Sequence, residues 1–322
     1  MTRHLAVTLM LFTALASPAW GAMPDCAAKA PVTTEPAAQL AHARMLDAGL
    51  CDLKDAKLQA VEWYRKAADQ GEMMAEYALG DTYFSGDGVP IDYAEAKKWY
   101  LKAAEQGHGP SQLRLGFLFA EKHFTGQVDY VQAEKWFYKA AMQDAGDARF
   151  RLGNFYLNTL RPPDRARGLA WLRIAAKGGH NVAMYDLFKQ LEEEQPKEAQ
   201  SWLKKSAKAG YGQAQGTLYE ALANGRGTFK PNKREALNWL LEIVKGPSPH
   251  PRYLSKAGDV FFDGDGAPKN YPAARGYYER AAAKGDLHAF ERLATIYKDG
   301  LGTDKDDAKA AEYAAKAAGN SP

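Results

Sequence analysis

The chain predicts an all-α fold, a right-handed α/α solenoid of about seven to eight helix-turn-helix repeats, and three observations carry that expectation. A large ring returns at Trp63, Trp99, Trp136, Trp171, Trp202, Trp239, Tyr277 and Tyr313, at intervals of 36, 37, 35, 31, 37, 38 and 36 residues. Mostly small residues flank it at helical spacing. Ala60, Ala96, Ala133, Gly168, Ala199, Ala236, Ala274 and Ala310 stand three before, and Ala67, Ala103, Ala140, Ala175, Ser206, Ile243, Ala281 and Ala317 stand four after. These offsets share one helix face, so each copy presents a ring between small neighbours and lets another helix approach closely. Glycines then punctuate the pattern.

Gly71, Gly107, Gly179, Gly210 and Gly285 fall eight residues past the ring, where a helix-ending glycine belongs. A second ladder follows four and eight residues later: Ala75, Ser111, Ala148, Ala183, Ala214 and Ala289, then Leu79, Leu115, Leu152, Leu187, Leu218 and Leu293. It too is helical. Its far end is marked by Gly86-Asp87-Gly88, Gly225-Arg226-Gly227, Gly264-Asp265-Gly266 and Gly300-Leu301-Gly302. None follows a strand pattern or completes a dinucleotide fingerprint, so these turns end helices and hold no nucleotide. Because one hairpin cannot bury its apolar face alone, the units must stack.

Composition sets the class. With 322 residues, 46% hydrophobic and 25% charged, the chain has enough apolar material for a sizeable core. Forty-two basic and 39 acidic residues leave a net charge of +3, with both signs interspersed, which gives no footprint for nucleic acid. Arg3 and His4, the apolar run Leu5 to Ala16 and the small residues of SPAWGA have the order of a secretory signal. Residues 1–21 are therefore expected to be a signal peptide cleaved after Gly21 or Ala22, with 22–36 an extended tail, 37–318 the solenoid and 319–322 a short C-terminal tail. That run is short of the ~20 residues a membrane-spanning helix needs, so no direct membrane insertion is expected. The compartment would be the periplasm. Cys26 follows AMPD, which does not suit lipidation, and in an oxidising compartment it could pair with Cys51. Such a bridge would stabilise by roughly 3 kcal/mol in the chain-entropy model. The alternative is two separate thiols.

The run Ala75, Leu79, Gly80, Tyr83, Gly86, Gly88, Val89, Asp92, Ala96, Trp99, Tyr100, Lys102, Ala103, Ala104 and Gly107 resembles the Sel1-like repeat, a relative of the tetratricopeptide repeat. The resemblance extends over roughly residues 37 to 318. It is weaker between Gly146 and Gly210, where the paired-glycine turn is missing and LEEEQP shortens one unit. Prolines in KGPSPHPRYLS should delay the start of another helix. The resemblance implies a non-catalytic scaffold, without cofactor, that binds another protein on its concave face. The partner would be an envelope protein or a secreted effector enzyme. A periplasmic adaptor is the leading reading. An immunity protein neutralising a phospholipase-type effector of type VI secretion is the specific alternative.

If Leu79, Gly80 and Tyr83 pack inward, Met74, Tyr77, Asp81 and Phe84 between them should project toward the inner curve. Matching positions hold Leu113, Phe117, Phe150, Asn154, Tyr185 and Phe262. Aromatic groups on one strip can anchor a partner. The same side chains could instead be buried between adjacent units.

Enzymatic readings are thin. Ser201 and Lys204 match the S-x-x-K of penicillin-recognising enzymes, and some cysteine-rich Sel1-like proteins have been classed as β-lactamases. Neither S-D-N nor K-T-G occurs, and Lys204 occupies the place of Arg65 and Arg173, so a hydrolase is disfavoured. His108 and His180 share a post-glycine turn position, and no histidine pairs at i, i+4, so no metal is expected.

Overall fold

The computed structural model describes residues 34–50, 53–143 and 146–319, and the leader, Cys26 and Cys51 lie outside them. Among the described residues are seventeen α-helices and one π-helical turn, with no strand beyond an isolated bridge between Arg226 and Phe229. The helices form eight hairpins, each a first helix A and a second helix B. They are α1 Pro36–Asp47 with α2 Ala56–Ala68, and α3 Met73–Ser85 with α4 Tyr93–Glu105. Next come α5 Gly109–Ala120 with α7 Tyr130–Gln143, the short α6 Lys122–Thr125 lying in their connection. In the fourth, α8 Gly146–Asn154 runs into the π turn Phe155–Thr159 and pairs with α9 Arg165–Lys177. The last four are α10 Asn181–Leu191 with α11 Pro196–Lys208, α12 Gly212–Asn224 with α13 Lys233–Lys245, α14 Pro251–Asp263 with α15 Tyr271–Ala282, and α16 Leu287–Asp299 with α17 Asp307–Ala317. The described residues pack as two compact units, the first ending at Ser111 and the second beginning at Gln112.

The same local chemistry builds each hairpin. Gly71, Gly107, Gly179, Gly210 and Gly285 all take positive φ, and the next amide reaches back to the B helix, as His108 N–H does to Ala103 O at 3.0 Å. This is the helix-terminating bond pattern that a left-handed glycine permits. Six of the eight B helices are opened by a side-chain cap: Asp92 accepts from the Ala94 and Glu95 amides, Asp129 from Gln132, Asp164 from Arg167, Asn232 from Glu235, Asn270 from Ala273 and Asp306 from Lys309, whereas Asp55 before α2 and Gln195 before α11 make no such bond. The capping residue also donates its own amide to helix A. Asp92 bonds Tyr83 O at 2.9 Å, Asp164 bonds Tyr156 O at 2.9 Å, and Asn270 bonds Phe261 O at 2.7 Å. A single residue thus starts one helix and ties it to the previous one.

Tight interlocking fixes the helix pair. The residue after the marker ring, not the marker itself, inserts between A and B. A Cβ on Gly80 would lie 2.4 Å from the Tyr100 ring, one on Gly116 2.5 Å from Phe137, and one on Gly258 2.5 Å from Tyr278. Tyr100 and Tyr278 are fully buried as a result. The markers Trp63, Trp99, Trp136 and Trp202 are buried as expected, whereas Trp171, Trp239, Tyr277 and Tyr313 are half-buried. Truncating Trp99, which is 2% exposed, to Ala would cost about 3 to 5 kcal/mol.

The irregular repeats have local causes. Between Gly146 and Gly179 a glycine-free π turn replaces the paired-glycine turn, and Gly168 makes room for Leu157, whose Cγ would sit 2.5 Å from an added Cβ. Pro251 opens α14 at its first position, five residues after Gly246, so the proline-rich loop does delay that helix.

Candidate partner-binding face

The helix-A residues expected to meet a partner are engaged locally. In the first unit Met74 is half-buried against the apolar cluster of α1–α4, and Tyr77 leans on the Tyr100 and His108 rings at 6.0 and 4.7 Å. Asp81 accepts the Tyr100 hydroxyl at 2.6 Å, and Phe84 meets Tyr93 edge-on at 5.4 Å. In the second unit Leu113 and Phe117 pack on the α7–α8 core, where Phe117 stands edge-on to Phe137 at 5.1 Å. Phe150 is buried and stacks on His180 at 4.4 Å. Asn154 accepts from Asn158 at 3.2 Å, Tyr185 bonds Thr217 at 3.1 Å, and Phe262 sits edge-on to Tyr271 at 5.4 Å. Except for Phe150, all keep a half-exposed edge. They pack and present at once, because a ring wider than a helix rise covers its neighbour on one side only.

Cations cap these rings throughout the second unit. Arg151 lies over Phe117 at 5.5 Å and Phe150 at 5.9 Å, Lys189 over Tyr185 at 5.3 Å, and Arg226 over Phe188 at 5.7 Å. Lys256 stands over Tyr219 at 5.7 Å and Arg292 over Phe262 at 4.8 Å. Sequence reasoning missed these cations. The signal was present for Lys189, four residues after Tyr185, but Arg292 comes one repeat after Phe262, and only stacking brings them together.

The densest polar group on this face centres on Asp259. It accepts the Tyr278 hydroxyl at 2.8 Å and His288 Nε2 at 2.8 Å, with Arg292 Nε at 3.3 Å. Burial and then the Asp259 charge push the Tyr278 hydroxyl far above the ordinary phenol range. Asp259 and Tyr278 repeat the register of Asp81 and Tyr100, so this bond belongs to the repeat, and His288 and Arg292 are additions to it.

The remaining titratable candidates serve the scaffold. His180 caps α10 by accepting from the Ala183 amide at 3.1 Å, His250 accepts from Arg252, and His108 Nδ1 sits 2.8 Å from Ser111 Oγ. Burial lowers the pKa of His108 below its ordinary value, against a smaller opposing pull from Asp81. Ser201 is exposed, and Lys204 lies 5.9 Å from the Phe229 ring. Among the described residues no three acidic, histidine or cysteine side chains form a group that could hold a metal ion. In the LEEEQP segment, Glu192 forms a two-pronged pair with Arg226 at 2.7 and 2.8 Å, and Glu194 meets Arg165 at 3.1 Å. No helix among the described residues is long and apolar enough to cross a membrane.

Hairpins stacked within each unit, with rings along their A helices, define a helical-repeat scaffold, a class whose members generally mediate protein–protein contacts without catalysis. The chain belongs to the Sel1 repeat family, whose repeat model matches residues 36–72, 74–108, 109–144, 146–180, 182–211, 216–242, 252–286 and 291–321. It is similar to the crystal structure of a Sel1 repeat protein from Oxalobacter formigenes, with 26% identity, a TM-score of 0.64, and coverage of 89% of this chain and 84% of that one. An immunity protein from Pseudomonas aeruginosa is 20% identical with a TM-score of 0.38, covering 67% of this chain and 83% of that one. An uncharacterised protein of Neisseria meningitidis serogroup B is 32% identical over 157 residues, 48% of this chain. The match spans about a third, 32%, of that curated relative's length.

Proposed function

We propose that the protein is an exported, periplasmic, non-enzymatic scaffold that holds one protein partner on its helix-A face. The observation that carries this reading is the run of cation-capped rings along the second unit, Arg151, Lys189 and Arg292 over the half-exposed Phe117, Tyr185 and Phe262, with Arg226 and Lys256 over the buried Phe188 and Tyr219. Aromatic and arginine side chains are the groups that anchor protein interfaces, and stacking holds them ready at low conformational cost. Export is supported by the order of charged, apolar and small residues from Arg3 to Ala22.

The test uses the cations, because Phe117 and Phe262 also hold the core. A photo-cross-linking residue at Arg151 or Lys189 should trap one partner from the periplasm. Arg151→Glu with Lys189→Glu should weaken its binding at least about tenfold while melting stays near wild type, since reversing a desolvated contact charge costs more than reversing a solvated one. Unchanged affinity would sink the proposal. If the trapped partner is an envelope protein, the scaffold is an adaptor. If it is an effector phospholipase whose turnover stops on binding, the role is immunity.

A further inference from the structure

The B helices of the second unit carry a feature the partner face does not use. At two, three and six residues past the marker ring, the three consecutive helices α7, α9 and α11 align nine side chains on one outer surface. Tyr138, Ile174 and Met142 supply an apolar centre, at 48%, 42% and 60% exposure. The other six positions are Lys139, Arg173, Lys177, Lys204, Lys205 and Lys208, all basic. None of the nine is acidic.

This concentration is local to the three helices. The same register on α2 and α4 includes Asp69 and Glu105, and on α13 and α15 it includes Glu242 and Glu279. Neighbouring contacts tie the three helices into one surface: Tyr138 meets Trp171 edge-on at 5.9 Å, and Arg173 is fixed by a two-pronged bond to Glu198 at 3.0 and 3.1 Å. None of the five lysines forms an ion pair among the described residues, although Lys177 stands near enough to Glu198 to help Arg173 hold its carboxyl below the usual range, and Lys139 and Lys205 lie over Trp136 and Trp202 at 4.6 and 4.3 Å. In other repeats a Lys or Arg stands three past the ring, as Lys66, Lys102, Arg280 and Lys316 do. Ile174 departs from that pattern at the middle of the surface, as Glu242 does on α13.

We infer that this surface docks peripherally on an anionic phospholipid membrane, with the lysines at the headgroups and Tyr138, Met142 and Ile174 at the acyl boundary. Charge complementarity commits the site to an anionic occupant. Exposed aliphatic and aromatic groups amid unpaired lysines are the composition that gives interfacial, non-spanning attachment. Each lysine near an anionic surface strengthens attachment about fivefold, and the attraction decays within a Debye length.

Vesicle co-sedimentation of the purified chain tests this. Vesicles containing about 30% phosphatidylglycerol should pellet the protein in about 0.1 M salt, release most of it in about 0.5 M salt, and bind far more than pure phosphatidylcholine does. Replacing Lys139, Lys177 and Lys205 together by Gln should lower the anionic-vesicle partition about a hundredfold, at about fivefold per lysine. Lys245→Gln with Lys316→Gln should leave it within about twofold, because both lysines are spent on Glu242 and Glu312. Any attachment through residues 5–16 is common to all variants and to neutral vesicles, so the difference between variants isolates the surface. Equal partition of the two variants, equal binding to neutral and anionic vesicles, or capture of polyglutamate with vesicles ignored would each overturn the inference.

Discussion

Gly80 shows how a single missing side chain sets the geometry of a repeat. Replacing a helical glycine by alanine ordinarily stabilises by about 1 kcal/mol, but here the new methyl would lie 2.4 Å from Tyr100 Cδ1. The clash outweighs the propensity gain, since overpacking costs about 1 to 3 kcal/mol, so Gly80→Ala should be net destabilising in urea melts. Tyr100→Leu in the same chain should recover part of the loss by removing the ring. His108 gives a second residue-scale outcome. Burial lowers its pKa below 6.5, so the folded state prefers the neutral ring. Its contribution is present above about pH 6.5 and is lost as pH falls through the folded value. His108→Asn keeps a capping side chain and should flatten the fall in melting temperature between about pH 7 and 5, leaving a smaller residue from His42, whose pKa burial also lowers. An unchanged acid limb would remove His108 from that balance.

At the scale of the element, the hairpin of α3 and α4 depends on its capping residue more than on its ion pairs. Asp92 bonds two amides of α4 and donates to Tyr83 O, whereas Lys57 meets Asp87 at 2.7 Å with both side chains near half exposure. Caps contribute about 0.5 to 2 kcal/mol and exposed pairs rarely above 1, so Asp92→Ala should lower stability more than Asp87→Ala in matched denaturant titrations. Much of this scale was legible in the sequence. The ring interval, the flanking alanines and the glycines pointed to seven to eight hairpins, of which eight form, because a 3.6-residue period and a positive-φ requirement leave direct marks on residue choice. Asp92 itself belonged to the quoted repeat pattern, yet its double duty was not readable, since backbone bonds have no residue signature. Equally hidden was the ring seated on Gly80: the sequence advertises Trp99, while Tyr100 next to it closes the hairpin. The site was half legible. Tyr185 and Phe262 stood out as large rings at inner positions, but Arg292 reaches Phe262 across a whole repeat, a distance that local spacing does not encode.

For the molecule as a whole, stacked hairpins mean that each repeat is stabilised by its neighbours, so damage should spread by adjacency and fade with distance. Leu254 in α14 is fully buried in the cluster that joins α8 through α17. Leu254→Ala removes about 2 to 5 kcal/mol of packing there. The apolar cluster of α1 to α4 contains none of those residues. Amide exchange should therefore accelerate most in α13 to α16, less in α9 to α11, and stay near wild type in α2 and α4. A globular protein with one cooperative core would instead lose protection evenly along the chain, and an even loss here would mean that the repeats unfold as a single body. The graded result has a functional corollary. A scaffold stabilised by neighbours can lose one ring on its partner face without melting the rest, which is the condition under which the binding variants at Arg151 and Lys189 report contact chemistry and not collapse.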